Sequence, residues 1–157
     1  MKQIIEDGRI VEDAWLAWDE ADAALIDLPA TAKGRILPLP TYVEHAERLL
    51  ASGARLGVLI GPDDAPETVL PYLEQLALVA IRFPSFADGR GYSVGRLLRS
   101  RYGFTGQLRA VGDILRDQLY FLNHCGFNAF ELRQDQDLRE ALAAFRDYAW
   151  QPNTLTR

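Results

Sequence analysis

The chain is poor in the side chains that build redox and metal centres. It has one cysteine, Cys125, and two histidines, His45 and His124, in 157 residues. A single thiol forms no intramolecular disulfide and no dithiol couple. Four-cysteine iron–sulfur ligation and cysteine-rich zinc sites are out of reach of one copy. The two histidines lack HExxH spacing, so no metal site is expected. Basic residues are also in deficit, with 17 Lys and Arg against 22 Asp and Glu, net −5. That balance does not suit a general nucleic-acid binder, which carries a basic face. No apolar run approaches the roughly 18–20 residues of a membrane span. The opening Met1-Lys2-Gln3-Ile4-Ile5-Glu6-Asp7 has no signal-peptide core. The expectation is a soluble cytoplasmic protein that meets neither nucleic acid nor membrane.

What is present is a 48% apolar composition, enough for one globular domain without disulfides. Residues 1–40 read as an N-terminal arm. In it, Glu6-Asp7-Gly8 marks the turn of a β-hairpin, because Asp-Gly tolerates positive φ. Trp15 and Trp18 follow, to cover the core or meet a partner. Leu37-Pro38-Leu39-Pro40 reads as an extended connector. Residues 41–150 form the core and 151–157 a polar tail. Thr41 and Glu44 have capping-box spacing ahead of a helical stripe. Leu56–Ile60, Leu78–Phe83, 108–111 and 127–132 are short apolar runs of doubly covered strands. Each is followed by a helical pattern, the last capped by Asp135 or Asp137. Four strand–helix units imply parallel strands with helical crossovers, hence an α/β fold. The sheet is either open and flavodoxin-like or curved like half a barrel. A half-barrel would be completed by the arm or by a homodimer.

In such sheets ligands bind beyond the carboxyl ends of the strands. The loop after the second core strand, residues 84–91, exceeds the usual 2–6 residues and so suggests a functional loop. It carries Asp88 and Arg90 and leads to Tyr92 and Ser93. Arginine, serine and free N–H groups at a helix start suit an anion; an Asp-Gly turn with a serine cap is the plain alternative. Phe86 and Tyr92 are candidates to stack on a ligand ring or to anchor the loop. After the third strand come Asp113, in a helix-capping position, then Arg116 and Asp117. The strands themselves carry Arg82, Arg109 and Glu131. A charge in a covered strand is paired or faces a cavity, and Arg109 with Glu131 is the expected pair. The candidate ligand-binding set is Asp88, Arg90, Tyr92, Ser93, Arg109, Asp113, Arg116 and Asp117, with no catalytic group assigned. Cys125, in phase with Leu115 and Leu122, reads as a buried inert thiol.

Several strings between Phe83 and Glu131 resemble one family. They are Phe86 to Ser93, Leu97-Leu98-Arg99, Gly106 to Asp113, Arg116-Asp117-Gln118 and Cys125 to Glu131. The opening Ile-Ile-Glu-Asp-Gly and Asp13-x-Trp15 fit it too. The chain resembles an uncharacterised bacterial family encoded beside sulfite reductase and labelled as oxidoreductases of sulfite reduction. The resemblance implies a role in assimilatory sulfite or sulfate reduction, with sulfite reductase as partner and a small oxyanion as ligand. A stand-alone oxidoreductase needs a redox centre, and the cysteine count supplies none. The expectation is therefore an accessory protein with an anion or ligand pocket and no cofactor of its own. An interaction module for sulfite reductase is one alternative. An enzyme, flavin-dependent or using acid/base chemistry, is the other, because a noncovalent flavin needs no fingerprint motif.

Overall fold

The computed structural model describes residues 2–17, 33–85 and 87–146. Trp18, Phe86 and the 151–157 tail lie outside the described residues. The hairpin forms as its turn dictates: Asp7 and Gly8 take φ of 50° and 76° between β1 (Gln3–Glu6) and β2 (Arg9–Glu12). β3 (Trp15–Ala17) and β4 (Gly34–Pro38) follow. Then come α1 (Leu39–Glu44), α2 (Ala46–Ser52) and β5 (Leu56–Ile60). A 3₁₀ segment (Pro66–Gln75) leads to β6 (Leu78–Phe83). α3 (Arg90–Arg96) continues as a wider π-type turn, Leu97–Arg101, before β7 (Gln107–Gly112). α4 (Leu119–His124), β8 (Ala129–Phe130) and α5 (Leu138–Arg146) complete the order.

The expected runs 56–60 and 78–83 are strands at those bounds, because a strand covered on both faces reads as unbroken apolar sequence. β8 is shorter than expected. Asn128 Oδ1 takes the Leu108 N–H at 2.8 Å, so the ladder begins only at Ala129. The capping box at Thr41 does not form; Pro40, with φ preset for a helix, lets α1 start at Leu39. Asp137 does cap α5, its Oδ1 accepting from the Arg139 and Glu140 N–H groups at 2.9 and 3.0 Å.

All eight described strands join one sheet in the order β2-β1-β8-β7-β6-β5-β4-β3. β3 to β8 are parallel neighbours in sequence order. β1 pairs antiparallel with both β8 and β2. Four of these strands come from the first 40 residues, so the arm is built into both edges of the sheet. The strand order never reverses, so there is no switch point of the flavodoxin kind. The sheet is instead a curled half-barrel.

Contacts across the concave face measure the curl. Trp15 on β3 packs with Leu78 and Ala80 on β6, three ladders away. In a flat sheet those strands stand about 14 Å apart. The edge strands β2 and β3 are joined by Asp13 and Ala14 alone, so Glu12 and Trp15 are at most about 11 Å apart. Trp15 lies over Gly34, where a Cβ would stand 2.5 Å from the ring. The opposite face carries the larger core. Val79, Ile81, Phe83, Leu108, Ala110 and Phe130 alternate outward to meet Tyr42, Leu49, Leu98, Leu122 and Phe145 of the helices. No helix among the described residues is long and apolar enough to cross a membrane.

Gly112 ends β7 at φ 100°, and a Cβ there would sit 2.4 Å from the Phe83 carbonyl oxygen. Both the backbone conformation and the contact require glycine. Gly112→Ala is expected to destabilise the fold by roughly 2–3 kcal/mol, measured by urea unfolding.

Candidate functional site

The carboxyl ends of β5 and β6 open onto a cavity of about 190 Å3. Its walls come from Gly61, Pro62 and Asp64 after β5, from Arg82, Phe83 and Pro84 at the end of β6, and from Asp88, Arg90, Gly91 and Val94 beyond. Two devices hold the two loops. After β5, Asp64 Oδ2 accepts the Gly61 N–H at 2.7 Å and closes a tight turn. After β6, Asp88 Oδ1 accepts the Arg90 N–H at 3.1 Å, which is how α3 starts at Arg90 rather than at Ser93.

Asp88 and Arg90 form a two-pronged ion pair, Nε to Oδ1 at 3.0 Å and Nη2 to Oδ2 at 2.6 Å. Arg90 Nη1 also donates to the Pro62 carbonyl at 3.4 Å, which ties the two loops together. The side-chain and backbone hydrogen bonds from Arg90 hold the Asp88 carboxyl down to about 2. The folded value is depressed, so the pairing is intact at neutral pH and is lost only as pH falls through about 2. In a 13C NMR titration the Asp88 carboxyl is expected to titrate near 2. Arg90→Ala should return it toward the ordinary value of about 3.9.

The other expected site residues are placed elsewhere. Tyr92 turns into the core edge, where its ring meets Phe83 and Phe121 at 5.2 and 5.0 Å and its hydroxyl accepts from Gln118 Nε2 at 2.8 Å. Ser93 lines a separate open groove with Arg96, Ser100 and Phe121. Asp113 caps no helix; it accepts from Arg133 Nη1 at 2.9 Å. The helical turn instead starts at Arg116, with Gln118 Oε1 taking the Leu115 N–H at 2.8 Å. Arg116 faces Glu140 of α5 at 3.6 Å, and Asp117 is exposed. Asp88 and Arg90 are therefore the only two of the eight that share the cavity.

Arg109 points to the concave face, three residues back from the end of β7. It is buried, and its two Nη atoms each lie 3.0 Å from an Asp13 oxygen. Nε donates to Gln107 Oε1 at 2.9 Å. The expected Arg109–Glu131 pair does not form; Glu131 pairs with Lys2 instead. Ala129, not Glu131, stands opposite Arg109 in the β7–β8 register.

The residues missing from the sequence-derived set are Arg82 and Asp64. Arg82 alternates with Ile81 and Phe83 on β6, so it faces away from the helix-covered core. It is exposed at the strand end, and among the described residues its guanidinium makes no hydrogen bond or ion pair. The signal was a charge one residue from the carboxyl end of a parallel strand. Asp64 stands in the turn after β5 and carries no such signal. Cys125 is buried as expected, with Arg96 Nη2 3.8 Å from its sulfur.

Residues 57–154 match a family described as a bacterial protein of unknown function, DUF934. That stretch is more than half of the chain and contains every residue of the cavity. No curated protein matches the chain.

Proposed function

The chain belongs to the bacterial family of unknown function DUF934, and from that premise we propose that it binds a small charged metabolite at the carboxyl ends of β5 and β6. The observation that carries this reading is a partly open cavity with the uncommitted guanidinium of Arg82 at its wall. Strand carboxyl ends are where parallel sheets of this kind place ligands. The volume is below the roughly 300–1,000 Å3 of sites that enclose drug-sized molecules, so it suits a small metabolite better than a flavin. The resemblance to proteins encoded beside sulfite reductase supplies the setting. In it the chain serves sulfite reduction as an accessory that binds a small charged metabolite, without carrying the electrons itself.

The test is calorimetric titration of the purified chain with sulfite, sulfate, phosphate and neutral amino acids. At least one is expected to bind, and Arg82→Ala to weaken it tenfold or more. Silence from all of them, or unchanged binding by Arg82→Ala, contradicts the reading. A second reading, docking to sulfite reductase, draws on α4, where Tyr120 and Phe121 are 40% and 52% exposed. Co-purification lost in Phe121→Ala but kept in Arg82→Ala would favour it.

A further inference from the structure

The charges around the cavity narrow the chemistry of its ligand. Four ionised side chains line it: Arg82, Arg90, Asp64 and Asp88. Arg90 and Asp88 neutralise one another through their two-pronged contact. One cation and one anion remain, Arg82 and Asp64. They are not paired with each other, yet they flank one point. The position one bond out from Gly61 Cα is 3.4 Å from Arg82 Nη2 and 3.3 Å from Asp64 Oδ2. The Gly61 N–H fixes that carboxylate oxygen in place. Much of the remaining wall is apolar, including Ile60, Pro66, Ile81, Phe83 and Val94.

An inorganic dianion fits this arrangement poorly. It would meet one free cation against the like charge of Asp64, and it would leave its hydration shell for an apolar wall. A molecule with both charged groups on one carbon, and a short apolar body, meets every group. We infer that the pocket takes a compact zwitterion of the α-amino acid class. The carboxylate lies on Arg82, the ammonium on Asp64, and the side chain against Ile81, Phe83 and Val94. This rests on the pocket reading above and adds the ligand class to it.

The experiment is calorimetric titration of the full chain with L-alanine, L-methionine and L-leucine, with two analogues of the leucine skeleton, and with sodium sulfate. The analogues are 4-methylpentanoate, which lacks the ammonium, and 3-methylbutylamine, which lacks the carboxylate. At least one amino acid is expected to bind, each leucine analogue at least tenfold more weakly than L-leucine, and sulfate without measurable heat. Asp64→Asn keeps an oxygen for the Gly61 N–H, and thermal melting checks that it folds. It should close the gap between L-leucine and 4-methylpentanoate, whereas Arg82→Gln should weaken both. If sulfate or 4-methylpentanoate binds as tightly as the amino acids and Arg82→Gln abolishes it, the zwitterion inference falls and the pocket reading stands. If no amino acid binds, the inference also falls. The pocket reading falls with it only if the sulfite and phosphate titrations are silent too.

Discussion

Asp13→Ala is expected to destabilise the protein by about 3–5 kcal/mol, read as a fall in the urea midpoint. Asp13 and Arg109 are both buried and bonded by two contacts of 3.0 Å. Removing the carboxylate leaves a guanidinium inside the sheet's concave face with Gln107 as its one remaining side-chain hydrogen-bond partner among the described residues. The cost is mostly that of the stranded charge, not the net worth of the pair. Asp13 also sits between the two edge strands and accepts the Trp15 N–H at 3.0 Å. Its loss therefore loosens Trp15 and the join that holds the curl. Asp13→Asn keeps an acceptor but no charge, and should fall between wild type and Asp13→Ala. The double variant Asp13→Ala with Arg109→Met should recover much of the loss, because it removes both charges and keeps most of the volume. A double variant no better than Asp13→Ala would contradict this.

Arg99→Met should cost about as much, roughly 3–5 kcal/mol. Arg99 is fully buried in the last turn after α3. Its Nε donates to the Gly126 carbonyl at 2.9 Å, and Nη1 to the carbonyls of Phe104 and Gly106 at 2.7 and 2.6 Å. Nη2 reaches Asn128 Oδ1 at 3.1 Å. One planar group thus ties the segments that enter β7 and β8. Burial pulls its pKa down to about 10, partly offset by Asp7, so it stays charged at neutral pH. Methionine fills much of the space but leaves three backbone carbonyls without this donor. Arg99→Lys restores the charge but not the fork, and should recover only a minor part. A loss under about 1 kcal/mol in Arg99→Met would mean that water replaces the guanidinium.

These two arginines mark where the sequence stopped being readable. Arg99 looks like an ordinary basic residue near a helix end. Only the chain returning at Gly126 and Asn128 makes it a buried clamp. Asp13 reads as a loop acid, and its partner lies 96 residues away. β5 and β6 were legible because doubly covered strands leave an unbroken apolar trace. β3 was not, because three residues carry too little pattern, and β4 was hidden by Pro38, which ends it. The half-barrel alternative held because the parallel strands run in sequence order. The flavodoxin alternative fell for the same reason.

The site was legible where the loop was long. Residues 84–91 drew attention to Asp88 and Arg90, and both line the cavity. Arg109, Asp113 and Arg116 do not join them, for three physical reasons. Strand alternation turns Arg109 inward to Asp13, Arg133 claims Asp113, and Glu140 faces Arg116. Arg82 was visible as a charge in a strand, but its lack of a partner is a property of the folded neighbourhood alone.

The most direct test of the ligand site is the amide spectrum of the 15N-labelled chain during titration with L-leucine and, separately, sodium sulfite. For whichever binds, shifts are expected to centre on Gly61, Asp64, Arg82, Arg90 and Gly91, the residues around the β5–β6 cavity. Shifts confined to the groove at Ser93, Ser100 and Phe121, or to Lys2, Asp13 and Arg109 on the concave face, would contradict it.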